Sequence, residues 1–138
     1  MARDFCREQP VKITVGRTES RANPDVAQQV HVTSELDKRQ RFFDWLQEAF
    51  PAVGEQPRIL IFADTKRGAD ALCRELRSEQ FPAAALHGDK GQSERDRVMH
   101  HFRTGRTKIL VATDVAQRGL DIKDVRYVVN YDLPRTME

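Results

Sequence analysis

Hydrophobic positions along this chain switch between two periods. Val11, Ile13 and Val15 alternate with Lys12 and Thr14, which predicts a brief half-buried strand closed by Gly16. Val26 to Thr33 alternates again through Val26, Val30 and Val32 and reads as an edge strand, after a loop from Arg17 to Asp25 carrying Ser20, Asn23 and Pro24. Leu36, Phe43, Leu46 and Phe50 then recur at helical spacing until Pro51 stops the helix. Arg58 to Ala63 (RILIFA) is an unbroken apolar run of strand length, the pattern of a parallel strand covered on both faces. Ala69, Leu72, Cys73 and Leu76 follow at i, i+3, i+4 and i+7, an amphipathic helix.

A short strand, Ala83 to Leu86, leads into the polar turn His87-Gly88-Asp89, and Val98, Met99 and Phe102 give the next helix a buried stripe that Gly105 ends. Lys108 to Ala112 predicts a third inner strand, and Val125 to Tyr131 a fourth, running into Asp132-Leu133-Pro134. Strands and helices alternating at this spacing predict a βαβ series with right-handed crossovers and a mainly parallel sheet. Met1 to Pro10 is polar and patternless, an expected linker or arm, so the domain is expected to occupy residues 11–138. A sheet of this kind normally needs a further helix and strand, and the domain is expected to be incomplete at its C-terminus.

Composition narrows the class. At 138 residues the chain is one domain's worth, and 23 Lys plus Arg against 21 Asp plus Glu leave a net charge of only +2. That balance neither demands nor excludes nucleic acid. Hydrophobic content of 39% is low and charged content of 32% high, which suits a domain with much wet surface or half of a larger machine. Cys6 and Cys73 are far apart in sequence and read as buried free thiols, which fits an intracellular, reducing compartment. No apolar run approaches the ~20 residues a membrane span needs.

Three strand-to-helix junctions carry the candidate chemistry. Asp64-Thr65-Lys66 follows RILIFA, where a hydroxyl and a row of amides at a helix N-terminus suit a phosphate; Asp64 or Thr65 acting only as a cap is the plainer reading. His87-Gly88-Asp89-Lys90-Gly91 follows the second strand, with Gln92 and Arg95 three apart on one helix face and Ser93 and Asp96 spaced for a capping box. Gly88 permits close backbone approach. Thr113 and Asp114 follow the third strand, ahead of Arg118, Gly119 and Asp121. In a parallel sheet all three junctions lie at one edge, where ligands bind. Donors and cations spread along such an edge suit a polyanionic backbone better than a small metabolite. His87, His100 and His101 lack acidic or cysteine partners at ligand spacing, so no metal site is expected. A serine hydrolase is not expected either, since no Gly-x-Ser-x-Gly elbow exists.

These residues resemble the second, C-terminal RecA-like domain of DEAD-box RNA helicases of superfamily 2. ILIFADTK (Ile59 to Lys66) resembles motif IV and LHGDKGQSERD (Leu86 to Asp96) the segment containing motif IVa. VATDVAQRGLDI (Val111 to Ile122) resembles motif V, and VVNYDLP (Val128 to Pro134) the strand after it. SRANPDVAQQVHV (Ser20 to Val32) is similar to the opening strand of the branch typified by nuclear, ribosome- and messenger-associated members. Two departures stand out. Gln117 sits where the family usually has Ala or Ser, and the chain ends before motif VI, which would supply an arginine finger. The Walker loop and Asp-Glu-Ala-Asp box of the first RecA-like domain are absent from this sequence too.

The resemblance implies a RecA-like, P-loop-NTPase-type three-layer α/β/α fold. It implies that Thr65, Lys66, Gly88, Arg95 and Thr113 hold or adjoin the sugar-phosphate backbone of single-stranded RNA. Gly119 and Asp121 would reach ATP, which with Mg is bound mainly by the N-terminal RecA-like domain in cis. Arg118 and Asp114 would couple the two sites across the cleft. No catalytic residue is assigned within this chain. The parent would unwind short RNA duplexes or remodel RNA-protein complexes, while the isolated chain is expected to be inactive. Protein cofactors and a dimer through an exposed sheet edge are further expected partners. Two other readings remain at this level: a DNA-directed superfamily 2 helicase domain, and a non-enzymatic protein-docking module.

Overall fold

The computed structural model describes residues 25–114 and 124–133. The chain falls into two compact units, one ending at Trp45 and one beginning at Leu46. The expected strand at 11–15 lies outside the described residues. The expected edge strand at 26–33 is not formed, and Val26 and Val32 are both more than half exposed. Alternation fixes a strand only where a neighbour is available to pair, and among the described residues none pairs with this segment.

Helix α1 spans Glu35–Ala49. Ser34 starts it: its hydroxyl accepts from the Asp37 N–H at 3.2 Å and donates to the Asp37 carboxylate at 2.8 Å. Phe42, Phe43 and Leu46 are buried, and so is Phe50 just past the helix end. Leu36, expected in that stripe, sits in the first turn and is 92% exposed.

The sheet holds β1 (Arg58–Phe62), β2 (Ala83–Leu86), β3 (Ile109–Ala112) and β4 (Val125–Asn130), in the order β2-β3-β1-β4 with every described pair parallel. Helix α2 (Lys66–Ser78) follows β1, and α3 (Gln92–Arg103) follows β2. The three inner apolar runs are buried throughout β2 and β3 and from Ile59 on in β1, as their unbroken hydrophobicity predicts. Leu60, Phe62, Leu86, Leu110 and Ala112 pack with Met99 and Phe102 of α3 on one face. Strand alternation turns Ile59, Ile61, Ile109 and Val111 the other way. That face takes α2, whose Ala69, Leu72, Cys73 and Leu76 are buried. A sheet between two helical layers is the expected α/β/α arrangement.

β4 differs from the inner strands. Its residues alternate between half-buried and exposed, and a register shift where Arg58 and Ile59 pair with it breaks the ladder. Gly105, at φ +77°, ends the turn after α3 as the pattern predicts.

Candidate functional site

Register places the three junctions level with one another. Phe62 and Leu86 both pair with Ala112, so Ala63, His87 and Thr113 leave the sheet side by side. At a strand spacing of ~4.8 Å, the three exits span about 10 Å.

At the first junction Thr65 is the N-cap of α2, with extended backbone and its Oγ1 accepting from the Gly68 N–H at 2.9 Å. A Cβ on Gly68 would stand 2.9 Å from that oxygen, so the glycine makes room for the cap. Asp64 does not cap; its N–H donates to Oδ2 of Asp132 at 3.1 Å. The backbone N–H groups of Tyr131 and Asp132 in turn donate to the Phe62 carbonyl, at 3.0 and 3.3 Å. The exit of β4 is thereby tied to that of β1.

Lys66 donates to Oδ1 of Asp89 across to the second junction, at 2.6 Å. That hydrogen bond, with the ammonium charge behind it, holds the Asp89 carboxyl below the usual carboxylate range. The cation expected to face an anionic ligand is therefore already paired.

The second junction is a turn closed by the Lys90 N–H on the His87 carbonyl, 3.2 Å. His87 is only 5% exposed, and its Nε2 lies 3.0 Å from Oδ2 of Asp70 on α2. Lys90 pairs with Glu94 at 3.2 Å and reaches Asp70 at 4.0 Å. Gly88 is exposed and not in the left-handed region, and a Cβ there would meet only Cε of Lys66, at an ordinary 3.8 Å. Neither backbone nor packing demands a glycine at this point.

The expected Ser93–Asp96 capping box is not formed. Helix α3 starts two residues earlier than a Ser93 cap would set, at Gln92, so Gly91 takes the N-cap position and has no side chain to offer. Asp96 instead accepts from the Gln92 amide at 2.9 Å. Arg95 is half-buried in the first turn, with no carboxylate in ion-pair range among the described residues. At the third junction Thr113 is 5% exposed and its N–H donates to the Leu86 carbonyl at 3.3 Å, while Asp114 is exposed. Gln117, Arg118, Gly119 and Asp121 lie outside the described residues.

The structure thus brings Thr65, Lys66, Gly88, Arg95, Thr113 and Asp114 to one sheet edge. It adds Asp70, Asp89, Asp132 and Gly68, which sequence reasoning passed over as site residues. Only Gly68 had a local signal, its position three after a capping threonine. The carboxylates act across 17, 23 and 68 residues of chain, which no periodicity reveals.

A model of the helicase conserved C-terminal domain matches residues 38–138. The chain belongs to that family. The helicase domain is of the DEAD-box kind: it is 44% identical over its whole length to DEAD-box ATP-dependent RNA helicase 20 of Oryza sativa subsp. japonica, covering 27% of that protein. It spans about a quarter of the length of the curated relatives it matches. The solved C-terminal domain of the DEAD-box protein Dbp5 is 41% identical, with a TM-score of 0.62 over 72% of this chain and 53% of that one. S. cerevisiae Dbp5 bound to RNA and ADP BeF3 is 47% identical, with a TM-score of 0.53 over 56% of this chain and 20% of that one. The parallel sheet and its helices match these RecA-like helicase domains.

Proposed function

We propose that this helicase domain, read as a C-terminal arm-plus-domain of residues 1–10 and 11–138, holds the backbone of single-stranded RNA along the edge formed by Thr65, Gly88, Arg95 and Thr113. Lys66 adjoins that path, and Asp114 with Arg118 couples it to the interdomain cleft. Gly119 and Asp121 complete an ATP site that, with Mg, belongs mainly to an N-terminal RecA-like domain. The parent is then an ATP-dependent RNA helicase that unwinds short duplexes or remodels RNA-protein complexes.

The observation that carries this reading is the level alignment of three parallel-strand exits, each delivering hydroxyl or amide donors to one edge within about 10 Å. Donors of that kind address phosphates and sugars and carry little sequence information, as a general RNA remodeller requires. Thr65 can take part while capping α2, because an oxygen that accepts one hydrogen bond still has its own proton to donate. Gly88 has no structural need to be glycine, which fits a place kept open for a backbone to approach. Positioning and charge stabilisation dominate phosphoryl transfer, and this chain supplies only part of either.

The test is titration of a labelled single-stranded RNA into the chain at low salt, beside DNA of the same sequence. Weak binding that prefers RNA and falls on Arg95→Ala is expected, with no ATP hydrolysis by the chain alone. RNA-stimulated turnover by the isolated chain, or equal affinity for both polymers untouched by Arg95→Ala, would overturn the reading.

A further inference from the structure

We propose that the groove between α2 and α3, on the outer flank of β2, docks an acidic segment of a partner protein. The cavity there has a volume of about 350 Å³, inside the ~300–1,000 Å³ range of ligand sites. Its walls bring Arg77 from α2, Lys90 from the turn, and Glu94, Arg97 and His101 from α3 around a floor of Ala84 and Ala85. Lys90 and Glu94 lie beside the strand exits assigned to RNA, while Arg77 and His101 lie in the last turns of their helices.

Charge selects the occupant. Lys90 and Glu94 offset each other at 3.2 Å, which leaves Arg77 and Arg97 as the uncompensated cations of the lining. Arg97 is exposed and has no carboxylate in ion-pair range among the described residues. Arg77 spends its Nε on the Ala83 carbonyl, 2.8 Å away, which leaves the rest of its guanidinium with charge to satisfy. The same bond occupies a carbonyl of β2, the strand that ends the described sheet. Strand addition is thereby hindered at that rung, and side-chain docking is the mode that remains.

The floor and walls favour peptide over nucleic acid. Ala84, Ala85 and Val98 offer apolar contact, while the lining has no Phe, Tyr or Trp on which successive bases stack. Glu94 in the wall also opposes a continuous phosphate chain. An extended segment that alternates carboxylates with apolar side chains meets both surfaces: carboxylates on Arg97 and Arg77, apolar groups on the alanine floor.

The experiment measures anisotropy of a labelled peptide alternating glutamate and leucine, against a lysine-leucine counterpart and a single-stranded RNA. The acidic peptide is expected to bind in a salt-sensitive way. Arg97→Glu should weaken it at least about tenfold, the scale of one lost charge-assisted hydrogen bond, and leave RNA affinity unchanged. Arg97→Ala should fall between the two, and circular dichroism should show both variants folded, since the residue is exposed. Absence of acidic-peptide binding, equal binding of the lysine peptide, or indifference to Arg97→Glu would overturn the proposal. So would an Arg97→Glu variant that loses RNA and keeps the peptide, which would give the groove to nucleic acid.

Discussion

Thr65 offers the sharpest separation of structural from functional work at this site. Its Oγ1 accepts from the Gly68 N–H at 2.9 Å, and the side chain is exposed. Removing the hydroxyl by Thr65→Ala deletes an N-cap, a loss of about 1 kcal/mol. For a chain of 138 residues that lowers the melting temperature by roughly 3–4 °C. If the hydroxyl also donates to a phosphate, Thr65→Ala removes a hydrogen bond to a charged acceptor, about 1.5–3 kcal/mol. Exposure puts the effect at the lower end, near a tenfold loss of RNA affinity. Thr65→Ser keeps both functions and Thr65→Asp divides them. Aspartate caps helices as well as serine does, but when ionised it donates nothing and repels phosphate. Thr65→Asp is therefore expected to melt close to the parent chain yet bind RNA at least as poorly as Thr65→Ala. Chemical denaturation and RNA anisotropy on the same samples measure the two effects. An aspartate variant that binds RNA like the parent would refute the donor role, and one as unstable as the alanine variant would refute the cap.

Other consequences follow from the same geometry. Gly88→Ala should leave the melting temperature nearly unchanged, because the added methyl meets only Lys66 Cε at 3.8 Å, while RNA affinity drops severalfold; unchanged affinity would remove close approach as the reason for the glycine. The Asp89 carboxyl should titrate below its unfolded value of ~3.9, so its pairing with Lys66 is fully present above that value and lost as pH falls through the folded one. Carboxyl NMR checks this, and Asp89→Asn should raise RNA affinity by releasing Lys66. Burial pushes the Cys73 thiol up, so peptide mapping after iodoacetamide at neutral pH should find Cys73 unmodified in the native chain and modified after unfolding. Finally, with Lys66 and Lys90 both held by carboxylates, Arg95 is left as the uncompensated cation among the described residues assigned to RNA. The slope of log affinity against log salt should lie near −0.7, rather than near −2 as it would if all three lysine and arginine side chains met phosphates.

The inner sheet was legible because its signals are local. ILIFA (Ile59 to Ala63), AAAL and ILVA are apolar without interruption, and burial on both faces accounts for that. The stripe Ala69, Leu72, Cys73 and Leu76 placed α2 for the same reason. The misreadings share a cause too. Val26 to Thr33 has a strand's alternation but no described neighbour to pair with, and Leu36 is in phase with the buried phenylalanines yet lies in the first turn. Ser93 and Asp96 have capping-box spacing, but α3 begins at Gln92 and leaves the cap to Gly91. Pattern reports what a segment can do, whereas neighbours and helix starts decide which option is used.

The site itself was legible only as a set of donors, since its charge balance is made by contacts between distant segments. Lys66 looked like a phosphate ligand because sequence gives no sign that Asp89 would reach it. Once that pair and Lys90 with Glu94 are in place, both lysines at the edge face carboxylates. The exposed Lys66–Asp89 pair is worth little to stability, so its larger effect is on what the edge presents. The exposed Thr65 hydroxyl and Gly88 backbone remain on offer, with Arg95 as the cation available to a polyanion among the described residues assigned to RNA. Neutral donors bind backbone by geometry more than by charge, which favours a strand held in one shape over indiscriminate adhesion to any polyanion. The bonds that neutralise the edge also join its parts. Asp89 links the turn after β2 to the start of α2, Asp70 links that helix to His87, and Asp132 ties the exit of β4 to that of β1. A strand of RNA that displaced one of these motifs would have to strain the others, so the edge is built to respond as a unit.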